Sequence, residues 1–370
     1  MWSGTHWGSA NIRRWQGVEE LSAECRALQG AVARLPPLGQ AFHIGGLGRA
    51  VENFLGVEEL EADILPLCQA CRGCQDCRFR REGCTSEEKE VLELVEEEMT
   101  LKDGKLTASY PWKPCVMKMR NNRQQVLKIQ EKIEARNLSN GSQGEYIKEM
   151  EKATAEGTVK ELSREEMDNY LGPVNYNNHF EVLKESSIST ALRIVSNSAQ
   201  KNARSGLSLN ECMRKGPDEM ALLTEVLIHF RTVLKAIILD LKKAYQAIHL
   251  RELELHLRRI VWRKGPEEEW KDYGYTRATF GDLAAALLLE VGKRRAAEIG
   301  RSIDPSAAQQ LKDNLYVDDG YVGRKVEEVE RMLGELQEDG TYSGTVAQIL
   351  GTCGLRAKFM AVTGSTFLGA

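Results

Sequence analysis

Leu315-Tyr316-Val317-Asp318-Asp319-Gly320 leads apolar and aromatic residues into two adjacent carboxylates and a glycine, the pattern of a tight strand-turn-strand hairpin with its acids at the bend. Adjacent like charges repel and resist desolvation, so they call for a counter-charge, and Mg²⁺ suits carboxylate and phosphate oxygens. Another acid lies upstream. Ala236-Ile237-Ile238-Leu239-Asp240 is an apolar run of strand length ending in one aspartate, after which the chain through Tyr245 turns helical. If that strand pairs with the hairpin, Asp240, Asp318 and Asp319 converge. Three carboxylates on adjacent strands can hold two metal ions roughly 3.5–4 Å apart, the arrangement that activates an attacking hydroxyl and stabilises the leaving oxygen in nucleotidyl transfer.

The bulk properties permit this chemistry. A chain of 370 residues, 42% hydrophobic and 28% charged, is a soluble globular protein with room for two or three domains. Its formal net charge of −4 speaks against a protein that simply coats nucleic acid, but a polymerase needs only local basic surfaces. No apolar run approaches ~20 residues and no secretory leader is visible, so an intracellular protein, cytoplasmic or nuclear and without a membrane partner, is expected. Nine cysteines, five of them between Cys68 and Cys84, suggest metal binding or free thiols rather than a secreted disulfide framework. Cys68, Cys71, Cys74 and Cys77 have the spacing that lets paired thiolates take adjacent corners of a Zn²⁺ tetrahedron. No histidine lies nearby and the two pairs lack the usual longer spacer, so a structural zinc, a thiol-rich loop and an iron–sulfur ligand set all stay open.

The elements that must position the acids read as follows. Residues 1–66 give no clear element, and 67–85 are cysteine-rich. Residues 86–170 form a mostly helical region: an acidic amphipathic helix over 86–99 capped at Thr85 or Ser86, an extended Tyr110-Pro111-Trp112, then charged helices burying Leu127, Ile129, Ile133, Tyr146, Ile147 and Met150. Phe180–Lys184 and Ala191–Val195 read as two strands of a hairpin, and Glu219–Leu234 as a helix burying Leu222, Leu223, Val226, Leu227 and Phe230. Leu253, Leu257 and Ile260 predict a basic amphipathic helix from His249 to Arg263, with His249 and His256 on one face as packing or surface groups. Gly281 stands at a strand-to-helix corner where a ligand can approach the backbone, ahead of a helix over Leu283–Gly300. Helices over Glu327–Gln337 and Thr345–Leu350 follow the hairpin.

These phrases, in this order, resemble the reverse transcriptases, most closely those of the BEL/Pao group of long-terminal-repeat retrotransposons. The resemblance rests on Pro173-Val174-Asn175-Tyr176 with His179, Leu192–Val195, Ser208–Pro217, Phe230-Arg231, Asp240–Tyr245, Thr279-Phe280-Gly281 and Tyr316–Gly320. It implies an α+β fold: fingers over 171–235 and a palm over 236–370, whose antiparallel sheet is flanked by helices. It further implies an RNA-directed DNA polymerase within a retrotransposon polyprotein, acting on primer-template and deoxynucleoside triphosphates with two Mg²⁺, or Mn²⁺. Carried over residue by residue, Asp240, Asp318 and Asp319 would be the metal-binding catalytic acids. Val317 would sit below the primer terminus, and Tyr245 would be the steric gate against a ribose 2′-hydroxyl. Arg193 and Lys184 would clamp the triphosphate, Phe280 and Gly281 would position the template, and Lys358 would lie near the leaving pyrophosphate. Phe367-Leu368-Gly369 resembles a primer grip.

The sequence departs from the family in places. Phe280 precedes the glycine where many retroviral enzymes have glutamine, and Ala285-Ala286 replaces a usual Ser-Pro pair. No thumb, connection or RNase H region falls within these residues. Two rival readings therefore accompany the polymerase: a catalytically silent, truncated retroelement remnant, and a nucleic-acid-binding module built on the cysteine cluster.

Overall fold

A computed structural model describes residues 85–183, 192–338 and 341–362, all within one compact unit that spans 81–370. Helix α1 (Ser86–Glu98) starts at Thr85, whose hydroxyl accepts from the Glu88 amide while the Glu88 carboxylate accepts from the Thr85 amide. It buries Val91, Leu92 and Val95. Strands β1 (Thr100–Lys102) and β2 (Lys105–Ala108) form a hairpin absent from the sequence reading. Next come α2 (Arg123–Asn140), α3 (Gln143–Ala155), β3 (Val159–Glu161) and α4 (Arg164–Asp168), the last opened by a reciprocal Ser163–Glu166 cap. Strands β4 (His179–Leu183) and β5 (Leu192–Ser196) pair antiparallel as expected.

Helix α5 (Leu223–Thr232) is shorter than expected and buries only Val226, while Leu222 and Leu227 are exposed. Its apolar spacing is helical, but only one side of it is covered among the described residues.

Strand β6 (Ile237–Leu241) carries Asp240 inside the strand rather than at its end, and a 3-10 turn over Ala244–Ala247 follows. The helix expected from His249 to Arg263 is replaced by β7 (His249–Leu250), a one-turn α6 (Glu252–Leu255) and β8 (Arg259–Trp262), which pairs with β9 (Lys271–Tyr275). Leucines at helical spacing suggested the helix. Ile260-Val261-Trp262 favours a pleated partner, and all four residues of β8 are buried against β9. His249 and His256 thus share no helical face, and His256 stacks on Tyr170 with ring centroids 3.7 Å apart.

The remaining elements are α7 (Ala285–Gly300), α8 (Pro305–Asn314), β10 (Leu315–Tyr316), β11 (Asp319–Val322), α9 (Val326–Leu333), α10 (Thr345–Gly351) and β12 (Ala357–Val362). Helix α8 escaped the sequence reading, although Asp304 caps it and Pro305 occupies its first turn.

The result is a mixed α+β architecture. A four-stranded sheet runs in the order β10-β11-β6-β12, every pair antiparallel. A second sheet, β3-β9-β8, joins the 86–170 region to the chain beyond Asp240. In a third, β1-β2-β7, strands β2 and β7 run parallel. Helix α7 packs on α8 and α10, and buries Leu287, Leu288, Leu289 and Val291. Among the described residues no helix is long and apolar enough to cross a membrane.

Candidate active site

Strand β6 lies between β11 and β12, with Asp240 opposite Asp319 on one side and Lys358 on the other. Directly opposed residues of an antiparallel ladder project from the same face, so these three positions share one surface. Between β10 and β11 only Val317 and Asp318 remain to turn the chain, Tyr316 pairing with Asp319. The Leu241 amide donates to the Asp318 carbonyl at 2.6 Å, which ties the turn to the strand bearing Asp240.

The electrostatics of Asp240 reflect that closeness. Burial raises the Asp240 carboxyl, the neighbouring Asp318 charge raises it further, and Lys358 and Arg193 pull it down. Arg193, on β5, therefore reaches the field of an acid on β6.

The turn is strained, and two devices hold it. Val317 has φ +54°, a left-handed conformation that a β-branched residue disfavours. Lys293 of α7 reaches beneath it, donating to the Val317 carbonyl at 2.9 Å and to the Leu315 carbonyl at 3.3 Å. Its ammonium is buried and paired with Glu290 at 2.7 Å. Burial lowers the Lys293 pKa, while Glu290 and Asp318 oppose that shift. The second device is Gly320: a Cβ there would meet the Asn314 carbonyl oxygen at 2.6 Å, so the glycine after the acids is required by close packing.

A neighbouring shoulder holds Tyr245, Phe280 and Gly281. The Tyr245 and Phe280 rings meet edge to face, 4.8 Å between centroids. Gly281 has φ +98°, and a Cβ there would lie 2.7 Å from the Ser196 carbonyl oxygen at the end of β5. Asn210 grips this corner from both sides, donating to the Gly281 carbonyl at 2.9 Å and accepting from the Leu283 amide at 3.0 Å.

Asp282, fully buried, anchors the corner from below. It pairs with Arg258 at 2.7 Å and accepts from the hydroxyls of Tyr110 at 2.7 Å, Ser198 at 2.5 Å and Thr279 at 3.2 Å. Arg258 also donates to the Arg277 carbonyl and the Thr279 hydroxyl. Next to it, Glu254 accepts from the Tyr110 amide and the Trp112 indole, and burial pushes its carboxyl up to about 8. Thus segments far apart in sequence, Tyr110–Trp112, Ser196–Asn210, Glu254–Arg258 and Thr279–Asp282, meet at one joint.

The structure therefore brings Asp240, Asp318, Arg193 and Lys358 together, aligns Asp319 with Asp240 by register, and sets Tyr245 against Phe280 and Gly281. Lys184, Phe367-Leu368-Gly369 and the Cys68, Cys71, Cys74 and Cys77 cluster lie outside the described residues. Within them, Cys115, Cys212 and Cys353 are free thiols.

Sequence reading missed Lys293, Glu290, Arg258, Asp282 and Asn210. A Glu and a Lys three apart inside the Ala- and Leu-rich run 283–297 were the one available signal for the first pair. Nothing in the local sequence marks Arg258 as buried.

Among the described residues no three His, Cys, Asp or Glu side chains form a group able to hold a metal ion. The donor set nevertheless suits Mg²⁺, which takes one or two protein carboxylates and completes its shell with water and substrate phosphates. Asp240 and Asp318 are such a pair, and a cation between them would relieve the repulsion that disfavours the ionised Asp240. No protein-family model matches this chain, and neither does any curated protein.

Proposed function

We propose that the chain is the polymerase part of a BEL/Pao-like reverse transcriptase, adding deoxynucleotides to a primer 3′-hydroxyl under direction of an RNA template. The observation that carries the reading is the β-sheet register, which sets Asp240 opposite Asp319 and beside the Asp318 turn with two cations facing it.

In this reading residues 171–235 serve as fingers and 236–370 as palm. Asp240 and Asp318 hold Mg²⁺ or Mn²⁺, with Asp319 as the third acid. The bound metal supplies Lewis-acid activation of the hydroxyl and charge neutralisation at the leaving phosphate. The chain's own groups supply position. Arg193 offers a planar fork to the triphosphate, with Lys184 as a second cation for it. Lys358 offsets charge on the departing pyrophosphate. Tyr245, propped by Phe280, fills the space that a 2′-hydroxyl would need. Val317, pinned from beneath by Lys293, presents a fixed turn to the primer end. Gly281, held by Asn210 and Asp282, leaves its backbone open to the template.

The rival reading is a silent remnant that keeps the acids without turnover. Primer extension on poly(rA)·oligo(dT) with Mg²⁺ or Mn²⁺ decides between them. Incorporation well above an Asp318→Asn control supports the polymerase, and incorporation equal to that control supports the remnant.

A further inference from the structure

The face of the sheet that carries Asp240 continues into positive charge. Lys358 lies opposite Asp240, Ala357 opposite Leu241, and the Lys242 amide donates to the Arg356 carbonyl at 2.8 Å, so the ladder extends one step beyond the strands. Residues two apart along a strand share a face at a spacing of roughly 6.5–7 Å. Lys242 and Arg356 thus follow Asp240 and Lys358 on one surface, and Lys242, Arg356 and Lys358 are all exposed.

Arg277 prolongs the run. Its guanidinium donates to two neutral carbonyls, Gln246 at 3.0 Å and Glu156 at 3.2 Å, and its buried Nε has no acceptor. The Glu156 carboxylate is engaged by Lys243. Two groups register the resulting field. Burial lowers the Arg277 pKa, Glu156 pulls it back up, and Arg356 adds a smaller push downward. The His249 pKa is lowered by burial, then by Arg277 and Lys105. His249 bridges to Arg277, and β7 pairs with β2 just beyond Lys105. Among the described residues Lys105, Lys242, Arg356 and Lys358 have no ion-pair partner.

Cations gathered on one surface with more positive than negative charge, Asp240 beside Lys358 and Glu156 near Arg277 being the acids, favour an anionic ligand. We propose that Lys358, Lys242, Arg356 and Arg277, with Lys105 at the far end, form a polyphosphate-binding strip that leads away from the acid pair. A polyphosphate fits better than a nucleic-acid strand, because the strip is short and starts beside the acids. That the natural occupant is the pyrophosphate part of a nucleotide rests on the polymerase reading; the strip itself does not.

The test is calorimetric titration of the full chain with inorganic tripolyphosphate in EDTA at low salt, so that no metal bridges the ligand to Asp240. Saturable binding is expected. It should weaken about tenfold or more in Lys242→Gln/Arg356→Gln, where two charge-assisted contacts are lost from exposed side chains. Thermal stability should be unchanged, and binding should be retained in Lys242→Arg/Arg356→Lys. It should persist in Asp240→Asn/Asp318→Asn, which removes the acids and spares the cations.

No saturable binding by the wild type, or equal binding by the double glutamine variant, overturns the strip. So does a double variant that loses affinity for a single-stranded oligonucleotide alone. Tripolyphosphate binding without primer extension refutes the polymerase and leaves the strip standing; extension without that binding does the reverse.

Discussion

Asp282 and Asp240 are the same residue type within one packed unit, and the fold treats them in opposite ways. Around Asp282 the chain has assembled a guanidinium and three hydroxyls, so a fully buried carboxylate is answered completely by protein. Around Asp240 it has placed another carboxylate, with its cations at the margin, and it leaves the group half-exposed. A buried carboxylate whose hydrogen bonds are all made fixes geometry and has nothing left to offer a ligand. A half-open acid beside a like charge keeps an unmet demand for a cation, which is the condition for binding one. The first region is the joint and the second is the site it positions.

The comparison can be broken at either end. The largest effect is expected on activity: Asp318→Asn or Asp240→Asn should reduce primer extension at least about a hundredfold. Melting temperature should hold steady or rise slightly, because the raised Asp240 pKa means that its ionised form opposes folding. A large loss of stability instead would make Asp240 a structural residue like Asp282.

At the joint, Arg258→Met strands a buried carboxylate and should cost about 3–5 kcal/mol in urea denaturation. Arg258→Met/Asp282→Leu should recover much of that loss, and a double variant as unstable as the single would show that the pair is not the cause. Lys293→Met sits between the regions. It should cost about 2–4 kcal/mol, since Glu290 and the Val317 carbonyl each lose a buried cationic contact, and activity should fall further than stability alone explains.

Smaller still is specificity. Tyr245→Ala should raise ribonucleotide use relative to deoxynucleotide use by on the order of tenfold, and unchanged discrimination removes the gate role.

The subtlest effect is on pH dependence. Glu254 is raised to about 8, so the stability contributed by its neutral form is full below the ordinary glutamate range and is lost as pH climbs through about 8. Glu254→Gln should flatten the stability profile over that interval. An unchanged slope would mean that the acid is already ionised in the folded chain.

Much of this was visible in the linear chain because the signals are local. The helix cap at Thr85, the β4–β5 pairing and the strand-turn-strand hairpin around Asp318 depend on neighbours a few positions away and appear as expected, although Asp319 and Gly320 already belong to β11 rather than to the bend. What only tertiary structure decided is whatever depends on partners remote in sequence. The leucines of 249–263 fit a helix until β9 offers Ile260–Trp262 a ladder. Arg258 reads as a surface charge until Asp282 meets it, and Lys293 as an ordinary helix lysine until the 315–317 carbonyls lie above it. A side chain's own type sets what bonds it needs. Only the folded chain sets which of those bonds are already made and which are left for a ligand.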